Sequence, residues 1–170
     1  YTLEQTHELL IEMFQIIPEY CRTMRVMRQF APDHIVAGTT RISLRKDLDE
    51  ELRERKIPIK EIRFREIGFA QQHTKNVDKN VEIKVIEYNA SKGKEYFLQA
   101  VNKENFLFGL LRLRIFNKTA IIRELHIYGQ ALNLGEKGAE SEQRSRNILA
   151  KLNLKNSSEV SSCHWAFNLI

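Results

Sequence analysis

A chain of 170 residues with 42% hydrophobic and 29% charged residues is long enough for one domain and a short extra piece, and its composition is that of a soluble globular protein, which excludes the disordered and membrane-spanning classes. The net charge is +5, and the whole surplus lies in residues 22–65, which hold 12 Lys and Arg against 7 Asp and Glu, while the rest of the chain holds 15 of each. Such a concentration suits a polyanionic partner, whose condensed counterions are released when its phosphates are neutralised; a solvated basic face with no partner explains the charge alone equally well.

Cys21 and Cys163 are the only cysteines. They form no disulfide framework, no CxxC pair and no thiolate set for zinc or an iron–sulfur cluster, so no metal is expected. The longest apolar stretch, residues 106–116, is broken by Arg112 and Arg114 and falls well short of the roughly 20 residues a membrane helix needs. Residues 1–10 carry Glu4 and Glu8 and lack the basic start and apolar run of a signal peptide. The expectation is a cytoplasmic protein with no membrane association.

In chain order, Thr2 and Gln5 form a capping-box pattern, and Leu3, Leu10, Phe14 and Ile17 recur at helical spacing until Pro18. Residues 22–28 alternate partly and predict a short strand. Ser43 is placed to cap a second helix with Leu44, Leu48 and Leu52 in one stripe and Glu51 four residues before Arg55. From Ile59 the period becomes strand-like, with Ile62, Phe64 and Glu66 on one side and Arg63, Arg65 and Ile67 on the other; residues 70–80 predict a loop. Four strands follow, at 81–88, 96–101, 106–116 and 119–128, joined by short connections rich in turn residues, which predicts an antiparallel meander. A loop with Gly129, Gly135 and Gly138 then leads to a polar stretch, 140–154, of helical character, and a helix start behind such a loop is a weak signal for an anion site. Residues 156–170 show no period.

Few residue patterns carry chemistry on their own. Glu124 and His126 leave the same face of a strand and form a candidate acid/base pair, with a half-exposed sheet face as the plainer alternative. Tyr128 stands at the entrance to the glycine-bearing loop. Arg22, Arg25 and Arg28, with no acid between them, are phosphate candidates. His7, His34, His73 and His164 make no metal spacing and receive no role, and there is no Ser-His-Asp arrangement, P-loop or dinucleotide fingerprint.

The strands nonetheless carry recognisable strings: Tyr88-Asn89-Ala90-Ser91, Lys94-Glu95-Tyr96-Phe97-Leu98, Phe108-Gly109-Leu110-Leu111-Arg112-Leu113-Arg114 and Arg123-Glu124-Leu125-His126-Ile127-Tyr128-Gly129. In that order and spacing they resemble the acetyltransferase domain of the Elongator catalytic subunit. Upstream, Arg25-Val26-Met27-Arg28, Ile35-Val36-Ala37-Gly38 and Arg63-Phe64-Arg65-Glu66-Ile67-Gly68 resemble the joint between that subunit's radical-SAM barrel and its acetyltransferase. The resemblance covers about residues 1–138 and implies only the C-terminal part of the family's architecture: 1–58 as the basic, helical end of the radical-SAM domain with the joint, 59–155 as an incomplete GNAT-like acetyltransferase, and 156–170 as an atypical tail. The implied fold class is α+β, with a GNAT-like antiparallel sheet.

The resemblance implies an acyltransferase of the tRNA uridine acetyltransferase type, acting with acetyl-CoA in carboxymethyl-type modification of the wobble uridine. S-adenosylmethionine and an iron–sulfur cluster would belong to the family's N-terminal domain. Leu125, His126 and Ile127 would line the acetyl-CoA cleft mainly through their main chain, with Gln143 opening the pyrophosphate motif, and Arg22, Arg25, Arg28, Arg41, Arg45, Arg63 and Arg65 would face tRNA. Other Elongator subunits, or a second copy along an exposed sheet edge, are the further partners implied. The sequence departs from the family's pattern in two places: Ile59, Glu61, Phe64 and Phe69 stand where zinc-type ligands fall, and Arg146 and Ile148 occupy the glycine positions of the pyrophosphate motif. A non-catalytic tRNA-binding module and an ordinary GNAT N-acetyltransferase are the alternative readings.

Overall fold

A computed structural model describes residues 1–128 except 29, 37–40, 42, 75 and 118. The glycine-bearing loop, the helical stretch 140–154, Gln143 and the tail lie outside the described residues. The chain divides into two compact units, Tyr1–Arg65 and Glu66–Ile170.

In the first unit, helix α1 (Leu3–Ile16) begins as its capping box predicts. The Thr2 hydroxyl accepts from the Gln5 backbone N–H at 3.2 Å, and the Gln5 side chain accepts from the Thr2 N–H at 2.9 Å. Helix α2 (Leu44–Glu54) buries Leu44, Leu48 and Leu52, and Leu48 and Leu52 pack with Ile11, Phe14 and Ile59 as the unit's core. Ser43 takes the N-cap position without a capping hydrogen bond; its hydroxyl lies 3.3 Å from an Asp47 carboxylate oxygen instead.

Two expectations here are corrected. Residues 22–28 form no strand. Side chains, rather than a neighbouring strand, answer this segment's backbone: the Thr23 N–H donates to Glu61, the Thr23 carbonyl accepts from Arg45, and the Met24 carbonyl accepts from Arg63. The strand expected from Ile59 is two short helices, α3 (Ile62–Arg65) in the first unit and α4 (Ile67–His73) in the second. The buried positions are Ile62 with Arg65 and Ile67 with Ala70, pairs three apart as on a helix. An alternating pattern emerges only when the Arg65 side chain is taken as solvent-facing, whereas it is buried and donates to the carbonyls of Lys60 and Glu19.

The second unit is an antiparallel meander of β1 (Glu82–Ala90), β2 (Gly93–Val101), β3 (Leu107–Phe116) and β4 (Thr119–Ile127), in that spatial order. The α+β class and the four strands agree with the expectation. Ser91 and Lys92 join β1 to β2 with φ of 47° and 65°, the sign pattern of a type I′ hairpin turn. Gly93 follows because a Cβ there would stand 2.9 Å from the Ile115 carbonyl oxygen. Between β3 and β4 the register shifts: Arg112 pairs with Glu124 but Leu113 with Ile122, so Arg123 has no residue opposite. This bulge reverses the alternation of β4 and lets Ile122 and Leu125 join the same apolar cluster with Leu111, Leu98 and Leu113.

Candidate functional site

The basic segment is organised around one buried acid. Glu61 is fully buried and receives four donors: one carboxylate oxygen takes the Arg45 guanidinium and the Phe64 N–H at 3.1 Å, the other takes the N–H groups of Thr23 at 3.2 Å and Arg63 at 3.0 Å. Arg45 also donates to Asp49 at 2.9 Å and lies over the Phe14 ring, 4.5 Å from its centroid. Burial raises the Asp49 carboxyl above its ordinary value of 3.8, against the opposing pull of Arg45.

These contacts sort the arginines singled out from sequence. Arg45 and Arg65 are buried, and Arg63 is half-buried with its guanidinium on the Met24 carbonyl at 3.1 Å; all three hold segment 22–28 or the chain beside it. Arg22, Arg25 and Arg28 are exposed on the segment so held. Arg22 lies 2.7 Å from the Met24 sulfur. Arg41 is exposed and paired with Asp47. An open cleft beside the segment is lined by Arg25, Arg45, Lys46 and Arg63 together with Met24, Val26, Met27 and Ser43. Cations in such a concavity raise the local potential for an anion.

On β4, Leu125 and Ile127 are half-buried and His126 is exposed, directly after the bulge. Glu124 and His126 share a face, but the Glu124 carboxylate accepts from Arg112 at 2.7 Å, while the His126 ring lies 4.6 Å from the Tyr128 ring, tilted by 42°. Tyr128 is buried and its N–H donates to the Phe108 carbonyl at 2.8 Å. Gln143 lies outside the described residues.

Sequence reasoning missed a second set of charged residues on this sheet. Glu95 on β2 is buried and accepts from Arg114 at 2.7 Å and Arg123 at 2.8 Å, and Glu95, Arg112, Arg123 and Glu124 line one pocket with Tyr88. The signal was present as Arg112 and Arg114 two apart on a strand: both face the row of Glu95 and Phe97 on β2.

No family model matches the chain. The tRNA uridine(34) acetyltransferase of Dehalococcoides mccartyi is 35% identical to it over 158 residues, 84% of this chain and 34% of that protein. Elongator complex protein 3 of Schizosaccharomyces pombe is 29% identical over 144 residues, and that of Homo sapiens 28% over 143, in each case 78% of this chain and 26% of the relative. The solved structure of the archaeal Methanocaldococcus infernus Elp3 with an N-terminal deletion superposes with a TM-score of 0.69 at 22% identity, covering 91% of this chain and 42% of that one. The chain spans about a third or less of the curated relatives it matches. By sequence it is a relative of tRNA uridine(34) acetyltransferase and Elongator complex protein 3, the family its strand motifs resemble, and its fold is shared with the archaeal Elp3 structure.

Proposed function

We propose that this chain acts in Elongator-type modification of tRNA as part of an acetyl-CoA-dependent uridine acetyltransferase, corresponding to the C-terminal part of its relatives. The observation that carries this reading is the 35% identity to a tRNA uridine(34) acetyltransferase over 84% of the chain. Two features of the fold support it. The β4 bulge at Arg123 lies one residue before the run Leu125, His126 and Ile127, and bulges are frequent beside active sites, where they re-aim a side chain. The exposed Arg22, Arg25 and Arg28 lie on a segment whose Thr23 and Met24 backbone groups are held by Glu61, Arg45 and Arg63, which lowers the cost of ordering that backbone on binding.

On this reading the main chain of 125–127 meets acetyl-CoA, Gln143 begins the stretch that meets its pyrophosphate, and the three exposed arginines meet the phosphates of tRNA in a cytoplasmic setting. Arg45, Arg63 and Arg65 serve the same surface from behind. Other Elongator subunits are the further partners proposed. Acetyl-CoA hydrolysis by the purified chain, with and without bulk tRNA, tests the reading: turnover stimulated by tRNA supports it. Intact tRNA binding without turnover favours a recognition module instead, in line with Arg146 and Ile148 at the expected glycine positions. Acetyl transfer indifferent to tRNA would point to an ordinary N-acetyltransferase.

A further inference from the structure

In a regular strand two consecutive side chains leave opposite faces. Arg123 and Glu124 are consecutive on β4, yet both turn to one side of the sheet, where they line a pocket with Tyr88, Glu95 and Arg112. The bulge is the reason. Arg112 pairs with Glu124 and Leu113 with Ile122, so Arg123 is an extra residue, and two residues of the bulged strand then stand against one of its partner.

Each of the two side chains is held from a different strand. The Glu124 carboxylate accepts from Arg112 on β3 at 2.7 Å, and the Arg112 guanidinium lies 4.9 Å from the centroid of the fully buried Phe97 ring. Arg123 reaches past β3 to β2, where it donates to Glu95 at 2.8 Å. Glu95 is 1% exposed and is itself anchored: it accepts from Arg114 at 2.7 Å, and Arg114 donates to the carbonyls of Ala90 and Ser91 at the β1–β2 hairpin, at 3.2 and 2.8 Å. A line of contacts therefore runs from the hairpin through Arg114 and Glu95 to Arg123, and ends at the bulge.

Ion pairs with exposed members add little to stability as a rule. With the Arg123 side chain 53% and that of Glu124 40% exposed, these two pairs are poorly suited to holding the fold together. What they fix is the place of the extra residue. Shifting it along a strand turns the side chains it passes to the opposite face and re-aims their backbone groups, and the run Leu125, His126 and Ile127 begins only two places on.

We propose that Arg123 and Glu124 are positioning residues: their cross-strand ion pairs, Arg123 with Glu95 and Glu124 with Arg112, lock the bulge in place and so set the course of the main chain at 125–127. The proposal rests on the reading that this run meets acetyl-CoA, and adds to it side chains that act through the backbone.

Two measurements on the full chain test it, acetyl-CoA binding by calorimetry and amide hydrogen exchange by NMR. Arg123→Ala should bind acetyl-CoA about tenfold more weakly, because ordering the run then becomes part of binding, and should exchange faster at 124–127 while β1 and β2 keep the parent's rates. Arg123→Lys, whose ammonium can still meet Glu95, should recover most of the affinity. Glu124→Ala, on the other pair, should repeat the pattern, and decides the matter should Arg123→Ala fail to fold by circular dichroism. Parental affinity and parental exchange in the folded variant overturn the proposal. Weaker affinity with parental exchange overturns it too, since the side chain would then be touching the ligand, and so does exchange that quickens across the whole sheet, which marks a merely structural role. A parent chain that binds no acetyl-CoA overturns the reading of 125–127 and this proposal with it, whereas a binding parent with an unaffected variant overturns the proposal alone.

Discussion

Each unit buries one glutamate among arginines, and the two glutamates are treated differently. Glu61 in the first unit has all its acceptor capacity engaged by Arg45 and three backbone N–H groups. Glu95 in the second has one oxygen holding two arginines and the other holding nothing among the described residues. A fully answered buried charge rigidifies a fold; a half-answered one keeps part of its desolvation cost. Charge on segment 22–65 therefore divides into buried groups that build a surface and exposed groups that present it, whereas the sheet buries a carboxylate oxygen without a partner among the described residues.

The same substitution at both sites separates these roles. Glu61→Gln should be the most damaging change, about 3–5 kcal/mol in a urea titration, because neither orientation of the amide satisfies donors on both sides and Arg45 loses its buried counter-charge. Glu95→Gln should cost about 1–2 kcal/mol, since the amide carbonyl can still face Arg114 and Arg123 while the NH2 takes the unanswered side. Equal losses at the two sites would break the comparison. Gly93→Ala probes the sheet without touching charge: its Cβ meets a backbone carbonyl that cannot turn away, and a loss of about 1–3 kcal/mol is expected.

The smallest effect should come from the exposed pair at the β1–β2 hairpin. The hydrogen bond from Lys94 lowers the Glu87 pKa from 4.5, and the same bond raises the Lys94 pKa from 10.5. Glu87 adds stability above pH 4.5 that is lost as pH falls through its lowered value; Lys94 adds stability below pH 10.5 that is lost as pH rises through its raised value. Glu87→Gln should thus lower the melting temperature slightly between those limits, and by less the further the pH falls below 4.5. An undiminished difference in acid would mean that the glutamate acts there through packing.

The meander was legible because its signals are local: alternation on four strands and turn residues between them. The first helix was legible for the same reason, in Thr2 and Gln5. What escaped depended on distant partners. Segment 22–28 alternates like a strand, yet its backbone is met by the side chains of Glu61, Arg45 and Arg63, which lie 38, 22 and 39 residues away in sequence from the groups they bind. The helices α3 and α4 were hidden by Arg65, a charged residue whose burial no periodicity reveals. The arginine set could not be sorted into exposed and buried members without the fold, and Glu95 drew no notice because its pairing with Arg114 and Arg123 exists only once the strands align.

The division of the arginines is tested most directly by the salt dependence of tRNA binding for the parent chain and for Arg25→Glu with Arg28→Glu, with circular dichroism as the control. The account predicts an unchanged fold, weaker binding of every tRNA tried, and a plot of log affinity against log salt that is shallower by about two, one for each phosphate that the variant no longer neutralises. An affinity and slope equal to the parent's would contradict it and leave the basic segment as a solvated face.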